Sequence, residues 1–307
     1  MNYINPLIIL DLPDPFSPKM IDAAFVKMEK RRLMSEFELE GTTSIDIEGR
    51  EFDKDTVLKL LDELSDDQLR EFHLRIFTEP GLIEFLEDAS LEYFFNGGIQ
   101  KLAAHSEDFL KYVGPFFAQS YNHRLLNAYK HKDDEEIEAM CKYPLPLPAI
   151  HKALCYQDTY RSLHADVNEM EAYADGLENG NLPDGKIQDF GDEMRIESLN
   201  ALPDYFKSSR DRYALALELI ALSLYNDHQR VHLSVFLLRQ ALKLELSSDT
   251  ESRVKHLLDQ ILEKNPLAAG LSGMADAMGG KTKKKDNVWL WIGAGTVMSF
   301  VLWMLFG

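Results

Sequence analysis

Two cysteines and two histidines near the centre of the chain come closest to a metal site. Cys141, Cys155, His151 and His164 carry thiol and imidazole groups of the kind that bind zinc, and His151 lies one helical turn before Cys155. Their spacing is irregular, which is more typical of buried thiols and surface imidazoles. Two cysteines also fit a reducing compartment without a disulfide framework. The sequence therefore predicts neither a metal site nor a cofactor.

Motifs for other chemistry are incomplete. Gly280-Lys281-Thr282 imitates the end of a phosphate-binding loop, but Ala275 stands where that motif needs glycine and no strand precedes it. The acidic loop of residues 174–193 lacks the alternating oxygen ligands of a calcium loop. HExxH, GxSxG and CxxC do not occur. We therefore predict that the protein is not an enzyme, although residues distant in sequence could still assemble a catalytic site.

Aromatic residues are concentrated between positions 85 and 117. Two interpretations are open: a packed core, which is the usual role of aromatics at helical spacing, or a ligand-binding or catalytic pocket in this middle region. The residues are Phe85, Tyr93, Phe94, Phe95, Phe109, Tyr112, Phe116 and Phe117.

The chain is strongly acidic, with a net charge of −18. Residues from Lys281 onward carry four lysines and one aspartate, so the preceding residues carry −21. Phosphate backbones and anionic headgroups repel such a surface, which argues against a nucleic acid partner.

The stretch of residues 288–307, VWLWIGAGTVMSFVLWMLFG, contains no ionisable side chain. As a helix, its twenty residues would be about 30 Å long, which is the thickness of the hydrocarbon core of a bilayer. Its tryptophans lie near both ends, at the positions typical of membrane interfaces. We predict a single transmembrane helix that acts as a C-terminal anchor.

The flank of this stretch predicts its orientation. Lys281, Lys283, Lys284 and Lys285 precede it, and positive charge favours the cytosolic side, so we expect most of the chain in the cytosol. The first fifteen residues lack the basic region and the long apolar run of a signal peptide. Gly295 and Ser299 are four residues apart, so they could let two anchors pack as a homodimer or could simply be tolerated in lipid.

The soluble part is predicted to be all-α, a helical bundle or an array of helical hairpins, with one small β-hairpin near residues 43–53. Ser17 is expected to cap the first long helix, with Ile21, Ala24, Phe25, Met28 and Leu33 on its apolar side. Its other side carries Lys27, Lys30, Arg31 and Arg32, which we predict either to contact an acidic partner or to be ordinary solvated charges. Asp53 or Asp55 is expected to cap the helix after the hairpin.

Proline and glycine clusters suggest a division of the chain into segments. The Lys142–Pro148 run KYPLPLP is the first expected internal boundary. The segments are a helical module with a hairpin (1–75), a helical middle region (76–145), a helical bundle with a tetratricopeptide-like hairpin (146–265), a flexible linker (266–287) and the anchor (288–307).

The first 75 residues resemble a J-domain of the DnaJ type. The stretch NPLIILDLPDPFSPKMIDAAFVKMEKRRL resembles the opening of that family, with Ile21, Ala24 and Phe25 in its core positions, and residues 58–73 resemble its third helix. The resemblance implies a helical module that contacts a DnaK-type ATPase. In this sequence Leu33-Met34-Ser35 stands where the family carries His-Pro-Asp, so stimulation of an ATPase does not follow from the resemblance.

Taken together, these patterns predict a tail-anchored cytosolic scaffold that recruits a protein partner to a membrane. One alternative is a membrane-tethered co-chaperone that engages a DnaK-type ATPase. A second alternative is an enzyme with its site in the aromatic-rich middle region.

Overall fold

A computed structural model describes residues 3–10, 12, 17, 20–47, 49–79, 81–179, 194–227 and 229–266. The contact pattern divides the chain into two units, Met1–Lys255 and His256–Gly307, with the boundary inside the last described helix. The described elements are, in chain order, a 3₁₀ turn (Pro6–Ile9), α1 (Ala23–Glu40), β1 (Ser44–Ile47), β2 (Arg50–Asp53), α2 (Lys54–Ser65), α3 (Asp67–Thr78), α4 (Leu82–Asp88), α5 (Glu92–Phe95), α6 (Gly98–Ala103), α7 (Glu107–His131), α8 (Asp134–Cys141), α9 (Ala149–Glu178), α10 (Ile196–Ala201), a second 3₁₀ turn (Asp204–Phe206), α11 (Lys207–Asn226), α12 (Val231–Ala241) and α13 (Ser248–Lys264). The described part of the chain is therefore mainly helical with a single two-stranded hairpin, as the sequence predicted.

Helix α1 begins later than the sequence suggested. Its N-cap is Asp22, whose carboxylate accepts a hydrogen bond from the Phe25 amide at 2.8 Å, so the prediction that Ser17 caps this helix is wrong. The Ser17 carbonyl instead accepts a hydrogen bond from the Met20 amide in a turn before the helix.

The buried side of α1 also differs from the predicted one. Val26, Leu33 and Phe37 are buried, at the spacing of one helical face, and Leu33 is the one of these that was predicted. Of the other predicted residues on the helix, Phe25 is half-buried against the same core, whereas Ala24 is exposed and Met28 is 54% exposed. Ile21 is buried as predicted, but it precedes the first helical turn and so does not fix the face that follows.

The β-hairpin has the predicted position. Its strands pair antiparallel, with Ile45 opposite Phe52 and Ile47 opposite Arg50, and Gly49 adopts the left-handed conformation (φ 78°) that closes the turn. Phe52 is buried, and Ile45 and Ile47 pack against the same aliphatic core. The hairpin thus closes over the core that α1 and α2 share.

Two aspartates cap the N-termini of the two helices that follow the hairpin. Asp53 caps α2 by accepting from the Thr56 amide at 2.7 Å, as predicted. Asp66 is the only residue between α2 and α3, and its carboxylate accepts from the Gln68 and Leu69 amides, both at 2.9 Å. One aspartate therefore ends one helix and starts the next.

Long helices form the rest of the first unit. α7 packs along α9, α9 packs against α11, and α11 packs against α12. KYPLPLP does interrupt the helical pattern, between α8 and α9. Its Leu145 and Leu147 are buried, so the interruption contributes to the core.

Candidate functional site

The basic side of α1 is partly neutralised by neighbouring carboxylates. Lys30 pairs with Asp62 of α2, and Arg32 pairs with Glu29 at 2.9 Å and Glu36 at 2.6 Å on its own helix. Lys27 and Arg31 are exposed and have no ion pair within the described part of the chain. Of the four predicted contact residues, two are thus held by intramolecular pairs and two remain available.

The position at which the J-domain resemblance would place His-Pro-Asp lies inside a helix. Leu33-Met34-Ser35 forms the middle of α1, which continues to Glu40. Leu33 is buried and Met34 half-buried, so this stretch contributes mainly to packing.

A buried histidine connects the start of the chain to α3 and α7. His73 is 1% exposed; its Nδ1 lies 2.9 Å from the Tyr3 hydroxyl and its Nε2 lies 2.8 Å from the Tyr112 hydroxyl. The Glu63 carboxylate lies 3.3 Å from the same Nε2. A neutral imidazole has one donor and one acceptor nitrogen, and the carboxylate favours the proton on Nε2, so that Tyr3 donates to Nδ1.

Burial determines the protonation states in this cluster. It lowers the pKa of His73 to about 4 and raises the pKa values of Tyr3 and Tyr112. Burial also raises the pKa of Glu63. The imidazole is thus neutral at physiological pH and enclosed by side chains, which suits it to hold the N-terminal segment in place.

The cysteines and histidines singled out in the sequence lie in different environments. Burial raises the pKa of Cys141 to about 11 and raises that of Cys155 further, so both are protonated thiols. His164 accepts a hydrogen bond from Arg212 at its Nδ1, at 2.9 Å. The His151 ring packs against Gly114. Among the described residues, no group of three or more His, Cys, Asp or Glu side chains is arranged to hold a metal ion.

Most of the aromatic residues of the middle region form a core. Phe85, Phe109 and Phe117 are fully buried, and the Phe85 ring lies 4.7 Å from that of Phe117, between their centroids. Tyr93 and Phe94 are also buried. The core interpretation is therefore correct for these five residues. Of the other three, Tyr112 and Phe116 are half-buried and Phe95 is 67% exposed.

An open cleft of about 620 Å³ lies at the edge of this aromatic core. It is lined by Phe94, Phe95 and Gln100 of α5 and α6. Glu135 and Glu138 of α8 and Tyr143 of the segment after α8 also line it. Ala201, the last residue of α10, also lines it. Three separate stretches of chain therefore build the cleft.

The charges of the cleft come from α8. Glu135 and Glu138 are exposed and have no ion pair among the described residues. The Lys142 ammonium lies over the Tyr143 ring, 5.6 Å from its centroid. From the sequence, the run Asp133-Asp134-Glu135-Glu136 is expected to form a solvated helix start, and Phe95 belongs to the aromatics of the middle region. Sequence patterns did not assign Glu138, Lys142 or Tyr143 to a site. The spacing of Glu138 and Lys142, one turn apart just before an exposed tyrosine, was the available signal.

The neighbouring Glu136 has a different role. It is 9% exposed, and Arg124 of α7 donates to both of its carboxylate oxygens. In the acidic run, Glu136 therefore fastens α8 to α7, Asp134 accepts a hydrogen bond from the Ser198 hydroxyl at 2.6 Å, and Glu135 is exposed.

The predicted membrane residues lie outside the described residues. These are Lys281, Lys283, Lys284 and Lys285, and Gly295 and Ser299 within 288–307. Among the helices that the structure does describe, none combines the length and the hydropathy that a bilayer crossing needs.

Comparison with known proteins adds no relative. No family model, no curated protein and no solved structure matches the chain. A functional assignment therefore depends on the residues and on the geometry of the described surfaces.

Proposed function

We propose that this protein is a membrane-held scaffold: an acidic helical body in the cytosol that binds a protein partner, fixed to a bilayer by residues 288–307. The observation that carries the proposal is the twenty-residue stretch without an ionisable side chain, preceded by Lys281, Lys283, Lys284 and Lys285. Anchoring would raise the local concentration of a bound partner at the membrane without any new contact.

Exposed apolar side chains on the body support the binding role. Phe95 is 67% exposed and Tyr143 is 38% exposed, and both line the same cleft. Ile150 and Leu154 are 68% and 40% exposed and lie one turn apart on α9. Large apolar groups that gather on a surface favour a contact site over ordinary solvent exposure.

The buried chemistry of the body also favours binding over catalysis. The two thiols are protonated, and His73 is enclosed between tyrosines. Cys155 and His73 are buried, so they can stabilise the fold but lie out of reach of a substrate, and the half-buried Cys141 is a poor nucleophile while it is protonated.

The anchor offers a route to a dimer under this proposal. Gly295 and Ser299 would lie on one face of a transmembrane helix, where small side chains let two helices approach closely.

The test compares three chains in cells: the full-length protein, a chain ending at Asn265, and a chain in which a leucine-rich segment of equal length replaces residues 288–307. After crosslinking, each is purified from membrane and soluble fractions. We expect the full-length and replaced chains to hold the same partner in the membrane fraction, and the shortened chain to hold it in the soluble fraction. A full-length chain that fractionates as soluble, or three chains without a shared partner, would refute the proposal.

A further inference from the structure

The cleft between α5–α6 and α8 combines aromatic and acidic groups. Phe95 and Tyr143 are exposed aromatic residues that line it, and Glu135 and Glu138 of α8 line it as well. Aromatic faces and carboxylates both attract cations, the first through the ring quadrupole and the second through charge. We propose that this cleft binds an arginine side chain of a partner polypeptide, an inference that rests on the proposed scaffold function and names its binding site.

The two glutamates are free to take a ligand. Both are exposed on α8, three residues apart, so their carboxylates lie on neighbouring parts of one helix face. Neither has an ion pair among the described residues, in contrast to Glu136 between them, which Arg124 binds. A guanidinium could therefore pair with either carboxylate without breaking an existing pair.

The cleft already binds one cation of its own. Lys142 places its ammonium over the Tyr143 ring, at 5.6 Å from the centroid. This shows that the ring is accessible to a positive group. It also means that Lys142 competes with an incoming cation for the Tyr143 ring, and that its positive charge partly offsets the negative charge of Glu135 and Glu138.

Size and charge select the class of ligand. A volume of about 620 Å³ exceeds that of a single side chain and suits a short peptide segment. An anionic ligand would be repelled by Glu135 and Glu138 and by a chain of net charge −18. A neutral apolar peptide would desolvate two carboxylates without compensation. Arginine is favoured over lysine because its planar group can stack on Phe95 while it donates to a carboxylate.

The test measures fluorescence anisotropy of a labelled peptide, Gly-Ser-Arg-Gly-Ser-Arg-Gly-Ser, with the full-length chain in nonionic detergent. A second peptide carries citrulline, the neutral isostere, in place of each arginine. We expect the arginine peptide to bind about tenfold tighter than the citrulline peptide, because charge-assisted pairing and cation–π contact are both lost in the latter.

Charge-matched variants distinguish binding at the cleft from nonspecific attraction of the peptide to the negatively charged protein. The double variant Glu135→Gln with Glu138→Gln should weaken arginine-peptide binding about tenfold, and Phe95→Ala should weaken it about threefold. The matched control, Glu169→Gln with Glu178→Gln, removes the same charge from exposed positions on α9 and should change binding less than about twofold.

A gain of affinity gives the sharpest test, because misfolding cannot produce it. Lys142→Met removes the competing ammonium and should tighten binding about threefold. Lys255→Met makes the same change in charge at an exposed position on α13 and should have a smaller effect, below about twofold.

Equal losses in the two glutamine double variants, equal binding of the two peptides, or no gain from Lys142→Met would overturn the arginine site. The assay in detergent does not require the anchor to insert into a bilayer, so its outcome is separate from that of the fractionation test. Peptide binding by a chain that fractionates as soluble would preserve the cleft and refute the membrane scaffold.

Discussion

The two ends of the first unit bury a basic side chain in opposite ways. In the N-terminal region, His73 lies between Tyr3 and Tyr112 with its pKa lowered to about 4, so burial removes its proton. In the C-terminal region, Arg210 is equally buried at 1% exposure, and a guanidinium keeps its charge in proteins. A basic side chain can therefore be buried in two ways: it loses its proton and becomes neutral, or it keeps its charge and donates hydrogen bonds to several acceptors.

The acceptors around Arg210 are mainly backbone carbonyls. Its Nη1 donates to Leu202 at 2.9 Å and to Leu199 at 3.2 Å, and its Nε donates to Glu245 at 3.2 Å. The carboxylate of Asp204 lies 3.7 Å from its Nη2. These partners come from the end of α10, from the turn before α11 and from the segment after α12, so one side chain fastens three stretches together.

The largest expected effect in this comparison is the loss of Arg210. Arg210→Met removes the guanidinium that donates to these carbonyls, so we expect the free energy of unfolding to fall by about 3–5 kcal/mol. Urea unfolding of the full-length chain in nonionic detergent, followed by far-ultraviolet circular dichroism, measures it. Arg161→Met is the control, because that side chain is 67% exposed and should contribute less than about 1 kcal/mol. Similar losses in both variants would contradict the role of the carbonyl set.

His73 should make stability depend on pH. Its pKa is about 4 in the folded chain, against 6.5 for the ordinary group, so the unfolded chain binds more protons between these values. The contribution of the neutral ring is fully present above pH 6.5 and is lost as the pH falls to about 4. The difference corresponds to about 3 kcal/mol.

The variant His73→Gln isolates this contribution from that of the many carboxylates. Subtracting its free energy of unfolding from that of the parent chain should give a difference that rises with pH between 4 and 6.5. Parallel pH profiles for the two chains would show that His73 does not change protonation on folding.

Removing the exposed ammonium of Lys30 should have the smallest effect on the free energy of unfolding. Lys30 pairs with Asp62 at the surface, where both side chains are solvated, so Lys30→Met should change the free energy of unfolding by about 0.5 kcal/mol or less. The same urea titration tests this. A loss comparable to that of Arg210→Met would mean that burial is not what separates the three basic groups.

Sequence patterns correctly predicted the elements whose stabilising contacts are between residues close together in the sequence. The hairpin could be predicted because Ser44–Ile47 and Arg50–Asp53 alternate and Gly49 supplies the turn conformation. The cap at Asp53 is likewise a contact over three residues. The side of α1 could not be predicted as well, because two capping residues precede it and the choice of Asp22 over Ser17 changes where the helix begins.

Patterns could not identify features whose partners are distant in sequence. The Tyr3 hydroxyl meets a ring seventy residues away, and Arg210 binds carbonyls up to thirty-five residues away. The cleft unites Phe95, Glu138 and Ala201, which no local period connects. Polar burial and cavities follow from tertiary packing, whereas periodicity reports only which side of an element is apolar.

Gly114, where α7 packs against α9, should make the effects of mutations at two distant positions depend on each other. A Cβ atom built at this position would overlap the His151 ring, and both positions lie within long helices. In a scan of all single substitutions, position 114 should reject every side chain, alanine included. A library that also reduces His151 to alanine should restore small residues there, so the two positions should show strong epistasis although they are thirty-seven residues apart.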